Sequence, residues 1–185
     1  MLNPRFRTLL LMIVGAAATR LLPHPPNMTS ITALALFGGA QFADRRLALA
    51  VPLLALALSD LVLGVTWNWS SMAWQPHMWV QYLAFALVGL LGMSLRRRQS
   101  VARVGGATVL AATLFFLVTN FGEWVFQPWY PKNGAGLVAC YVAALPFFAN
   151  TLLGDLFYSA LLFGAWRWLE RHYTSLRPAQ ATAAG

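Results

Sequence analysis

Three carboxylates stand inside apolar sequence: Asp60 in "LALSDLVLG", Glu123 in "TNFGEWVF" and Asp155 in "TLLGDLFYS". An acid in such surroundings has three uses. It orients the polar groups of a ligand, it trades protons as a general acid or base, or it pairs with a basic residue and locks helices together. Asn120, Glu123 and Trp124 share one helical face by the i, i+3, i+4 rule, as do Thr151 and Asp155. Arg20 and His24 are the basic candidates for the same neighbourhood. His24 and His77 would make half of a metal site with the acids, since imidazole and carboxylate are both competent ligands; a satisfied or solvated histidine is the plainer reading. Neither a metal nor a cofactor is expected.

Other chemistry is excluded by what the chain lacks. It has no G-x-x-x-x-G-K-[ST] phosphate loop, so it does not energise anything by hydrolysing ATP itself. It has no H-E-x-x-H, no Cys/His cluster and no serine in a recognisable nucleophile turn. The one cysteine, Cys140, forms no disulfide within the chain.

The elements that must carry these residues follow from composition. Of 185 residues, 59% are hydrophobic and 10% charged, against about a quarter charged in soluble domains. Several runs approach the roughly 20 apolar residues that cross a bilayer. The reading is an all-α membrane protein: one transmembrane domain over 1–185, a bundle of six spans near 8–23, 28–43, 47–65, 79–95, 104–126 and 150–169. The piece 136–148 is too short to span. It reads as an interfacial or re-entrant helix before the last span, or as that span's bent extension around Pro146.

With six alternating spans, Arg5, Arg7, Arg45, Arg46, Arg96, Arg97, Arg98, Arg103, Arg167, Arg171 and Arg177 fall on one side, and Arg20 and Lys132 on the other. Cytoplasmic loops carry the Lys/Arg excess, so both termini are expected inside, in a bacterial inner membrane. The net charge of +8 is thereby a topology signal, and nucleic acid is not an expected partner. The start, "MLNPRFRTLLLMIVGAAATR", also has the layout of a signal peptide. Retention is favoured, because the small-residue run "GAAAT" suits a packed helix interface.

On this topology Asp60, Glu123 and Asp155 lie at nearly one depth, toward the outer ends of spans 3, 5 and 6, level with Arg20 and His24. A polar cavity open to the outside is expected there. Loop 66–78, "TWNWSSMAWQPHM", carries Trp67, Trp69, Trp74 and His77 and no formal charge, a composition that suits a lid over an amphipathic ligand. Tryptophans also mark membrane interfaces generally. The glycine patches at 38–40 and 105–106 and the run at 15–19 permit close helix approach, within the bundle or against a partner.

The segments "RLLPHPPNMTSITALALFGGAQF", "ALSDLVLG", "LFFLVTNFGEW", "YPK" and "YVAALPFFANTLLGDLFYSALLFGA" resemble a family of small, largely uncharacterised bacterial six-span proteins. That family in turn looks like the S-components of energy-coupling-factor vitamin transporters. The resemblance implies capture of a vitamin-like ligand from the outer side, and coupling to a transmembrane protein with two ATPase subunits. It implies a coupling face on the first span at small-residue spacing, for which Gly15, Ala16 and Thr19 are the nearest equivalents, with Arg20 interrupting the pattern. The nearest type is the solitary cobalamin-type S-component, which holds cobalt through a cysteine absent here; His77 is the only residue in that loop able to take its place. The leading expectation is therefore a binding subunit and not an enzyme, with Asp60, Asn120, Glu123, Trp124, Asp155, Arg20, His24 and the loop tryptophans around the ligand. An outer-leaflet membrane enzyme with Glu123 or Asp155 as acid/base, and a structural subunit locked by acids and Arg20, are the alternatives.

Overall fold

The computed structural model describes residues 3–66 and 76–177, and these are all-helical: α1 (Pro4–Ala18), α2 (Ile31–Gln41), α3 (Arg45–Thr66), α4 (Pro76–Met93), α5 (Val101–Phe126) and α6 (Gly134–His172). Local chemistry sets several starts. Asn3 caps α1 by accepting from the Arg5 N–H at 2.9 Å, with Pro4 at the first helical position. Asp44 accepts from the Arg46 and Leu47 N–H groups at 2.7 and 3.1 Å to start α3. Ser100 and Asn133 do the same for α5 and α6.

Among the described residues three helices, α3, α5 and α6, are long and apolar enough to cross a membrane. Their outward faces are greasy. Leu54, Leu58 and Leu61 on α3, and Leu153, Phe157 and Leu161 on α6, are each more than half exposed. Apolar bands of that extent suit lipid and not water. The other three helices are shorter. α1 and α4 have 15 and 18 residues.

α2 is the largest departure. It has 11 residues in place of the 16 expected, every one of them buried, and at 1.5 Å per residue it covers about 16 Å of a roughly 30 Å core. It packs against all five other helices. Glycine makes this possible: a Cβ on Gly39 would overlap the Gly89 carbonyl of α4, and one on Gly92 would overlap the Leu36 carbonyl of α2. The patch at 38–40 thus serves the bundle interior.

The short helix expected at 136–148 does not stand apart. α6 runs unbroken for 39 residues through Pro146, about 58 Å at helical rise. The loss of one N–H at Pro146 does not end it, because the surrounding run is apolar and packs on α5.

The basic residues gather at one end. Arg5 Nη1 pairs with Glu170 at 2.7 Å, and its guanidinium lies 4.9 Å from the Trp166 ring. Arg96 donates to the Gly39 and Ala43 carbonyls at 3.0 and 3.2 Å, satisfying the C-terminus of α2. Arg167 donates to the Gln99 carbonyl. α1 belongs to the core, with Leu9, Ile13, Ala16 and Ala17 all buried.

Candidate functional site

The three acids set in apolar helices have three different environments. Asp60, on α3, pairs with Arg20 at 2.7 Å and accepts from the Tyr82 hydroxyl at 2.9 Å, while Arg20 also donates to Ser59. Both partners of the pair are mostly buried, at 12% and 15% side-chain exposure. This is the helix-locking arrangement, joining the end of α1 to α3 and α4.

Asp155, on α6, is 1% exposed, and neither carboxylate oxygen completes a hydrogen bond among the described residues. Its polar neighbours are the Thr32 hydroxyl and the Ala33 N–H, in the first turn of α2. Ser30 does not cap that turn with its side chain, because its hydroxyl donates to the Ala16 carbonyl at 2.7 Å. The carboxylate therefore sits against an uncapped helix N-terminus, where negative charge is favoured. With Arg96 at the other end, α2 has an acid at its positive pole and a base at its negative pole.

Glu123 lines a cavity. The cavity has a volume of about 550 Å³ and lies between the start of α4, the end of α5 and the first half of α6. From α5 it takes Phe115, Phe116, Thr119, Asn120 and Glu123; from α6, Cys140, Ala143, Ala144, Phe147, Phe148 and Thr151. Both sets are single helical stripes. Met78 and Gln81 of α4, Trp129 and Tyr130 of the α5–α6 loop, and Asn27 complete it. Asn27 adopts a left-handed φ of 62°, which asparagine tolerates, and Asn150 fixes the turn by donating to the Pro26 carbonyl at 3.0 Å.

Hydrogen bonding inside the cavity is lopsided. The Asn120 amide donates to the Phe116 carbonyl, and the Thr119 and Thr151 hydroxyls donate to the carbonyls of Phe115 and Phe147, at 2.8–3.0 Å. Both hydroxyl protons and one amide hydrogen of Asn120 are used, and the three side-chain oxygens remain as acceptors. Glu123 makes no ion pair among the described residues. Lys132, the nearest candidate in sequence, instead donates to the Trp124 and Gln127 carbonyls at the end of α5. No Lys, Arg or His lines the cavity among the described residues. It is an aromatic-walled, acceptor-rich space with one acidic group.

A family profile matches residues 1–179. The chain belongs to DUF6580, a family of unknown function. No curated protein and no solved structure matches it.

Several residues expected around a ligand in this DUF6580 protein lie elsewhere. Asp60 and Arg20 are engaged with each other, and Asp155 is turned to α2, so the shared acidic cavity does not form. Trp124 flanks the cavity without lining it, its indole donating to the Pro131 carbonyl at 2.9 Å. His24 is exposed and contacts its neighbouring Pro25 carbonyl. Among the described residues no three metal-competent side chains cluster. Trp67, Trp69 and Trp74, and the His77 side chain, lie outside the described residues. Of the residues expected to form a coupling face near α1, Ala16 is buried and Thr19 bonds the Ala16 carbonyl, which leaves only Gly15 with open space beside it.

Residues missed from sequence were Gln81, Thr119, Tyr130, the four cavity phenylalanines and Cys140. The stripe 115–116–119–120–123 was open to periodicity, and the proline-rich run ending at Asn27 pointed to irregular backbone at the cavity; Gln81 carried no signal at all.

Proposed function

We propose that the chain is the solute-binding membrane subunit of an uptake system, similar to the S-components its sequence resembles, and that the Glu123 cavity takes a vitamin-like small molecule. The observation that carries this reading is an acid without a counter-ion, facing an aromatic cavity in the apolar part of the bundle. A charge there is costly unless something polar meets it, and Asp60 and Asp155 each have such a neighbour within the fold. The cavity volume lies in the range for drug-sized ligands. A corrinoid is much larger than such a ligand, so a smaller vitamin suits the cavity better.

The hydrogen-bonding pattern narrows the class. An acid, spare oxygens on Asn120, Thr119 and Thr151, and a wall of phenylalanines with Trp129 favour a flat solute that donates hydrogen bonds or carries positive charge. On this reading the bundle has both termini and the arginine-rich end in the cytoplasm, in a bacterial inner membrane. The cavity then opens to the outside, and an energising partner completes transport.

The test is thermal unfolding of the purified full chain in detergent with thiamine, riboflavin, biotin, pantothenate and cobalamin, beside Glu123→Gln. The expected result is stabilisation by a cationic or donor-rich compound, growing with its concentration and lost in a variant that melts like the wild type. No shift with any compound, together with a variant melting far below the wild type, would overturn the reading in favour of a structural acid.

A further inference from the structure

A second cavity, of about 620 Å³, lies at the opposite, arginine-rich end of the bundle. Arg45 and Arg46 enter it from the start of α3, and Arg96 and Arg97 from the segment after α4. Leu49, Leu90 and Met93 form its apolar wall, and Leu90 is 50% exposed on the outward face of α4. The only ion pairs among the described residues are Arg5–Glu170 and Arg20–Asp60, so none of these four guanidiniums has a carboxylate partner. The nearby acid, Asp44, is occupied with the Arg46 and Leu47 N–H groups. Arg96 is the telling member. Two of its nitrogens serve the end of α2, but Nη2 is buried with no acceptor. A buried donor left unmet is destabilising, and a phosphate oxygen is the acceptor that a guanidinium edge accommodates best.

We propose that this cavity binds an anionic phospholipid of the adjoining leaflet, its phosphate among Arg45, Arg46, Arg96 and Arg97 and an acyl chain along Leu49, Leu90 and Met93. A bare excess of arginine would serve as a topology signal with neither a cavity nor a buried unmet donor. Free phosphate would meet the arginines but leave the leucine wall unused. The inference rests on the membrane reading of the helices and is independent of what fills the Glu123 cavity. The membrane reading fails separately, if alkaline carbonate releases the chain from membranes.

The experiment is thermal unfolding of the full chain in dodecyl maltoside, titrated with dioleoylphosphatidylglycerol, dioleoylphosphatidylcholine or inorganic phosphate. Phosphatidylglycerol should raise the melting temperature in a saturable, salt-sensitive way, with little response to the other two. Arg45→Gln/Arg97→Gln removes two exposed charges and should weaken the apparent affinity about thirtyfold, while Arg45→Lys/Arg97→Lys keeps most of it. Equal shifts with phosphatidylcholine, an equal shift with phosphate alone, or an unchanged response in the Gln variant would each overturn the proposal. The lipid-free melting temperature of each variant reports whether it has folded.

Discussion

Two neighbouring residues of α4 face two kinds of polar site. Tyr82 donates to Asp60, within a cluster that Arg20 and Ser59 complete. Gln81, one residue earlier, lines the cavity that holds Glu123. In the first site every charge has an opposite within the protein, and the result is a joint between α1, α3 and α4. In the second, one acid is left over and the space beside it is open. The difference lies in supply. Arg20 follows α1 and reaches Asp60, whereas Lys132, the only other basic residue expected on that side, is held by the carbonyls at the end of α5. An intramembrane acid marks a functional site only after the basic residues of its own level have been assigned.

Substitution should separate the sites by stability alone. Asp60→Leu strands a mostly buried Arg20 and should cost about 3 kcal/mol, as removal of one partner of a buried pair does. Adding Arg20→Met should restore much of that loss, because two apolar residues replace the pair. If the double variant is no more stable than the single one, the cluster is not a paired joint. Asp155→Leu should come next, at about 2 kcal/mol, the upper figure for a charge against a helix terminus. Asp155→Asn, which keeps an acceptor against Thr32 and Ala33, should lose less. Glu123→Leu should stay within about 0.5 kcal/mol of the wild type while abolishing ligand stabilisation. Thermal unfolding in one detergent orders all three. A Glu123 variant as damaged as the Asp60 variant would erase the contrast.

Much of the frame was legible because it is written locally. Apolar length and arginine placement located the helices and gathered eleven of the thirteen basic residues in one set. The cavity was half legible: Asn120 and Glu123 lie on a stripe that the 3.6-residue period continues to Phe115, Phe116 and Thr119. The division of labour among the acids was not legible. It depends on which helices touch, and α6 meeting the first turn of α2 is a long-range event. The shortness of α2 was hidden for a related reason. Met28 and Thr29 are compatible with a span, yet the chain there follows Pro23, Pro25 and Pro26 in irregular form and presses Met28 onto Gly154 before the helix begins at Ile31. Apolar content does not distinguish a helix that crosses from one that starts inside.

Asp44 extends the comparison to an acid with no burial at all, and its effect should be the smallest. The N–H groups of Leu47 and Arg46 hold its carboxyl below the usual value, with smaller help from the charges of Arg46 and Arg96. A depressed folded-state value means that the stabilisation is complete above the unfolded value, near 3.8, and is lost as pH falls through the folded one. The cap is therefore charged and intact at neutral pH and fails only in acid. Asp44→Asn retains an oxygen that can cap α3 but has no proton to take up. Melting temperatures followed from pH 7 to about pH 3 should fall slightly more steeply in the wild type than in this variant, since the other carboxylates titrate in both. Parallel curves would mean that the cap works through geometry alone.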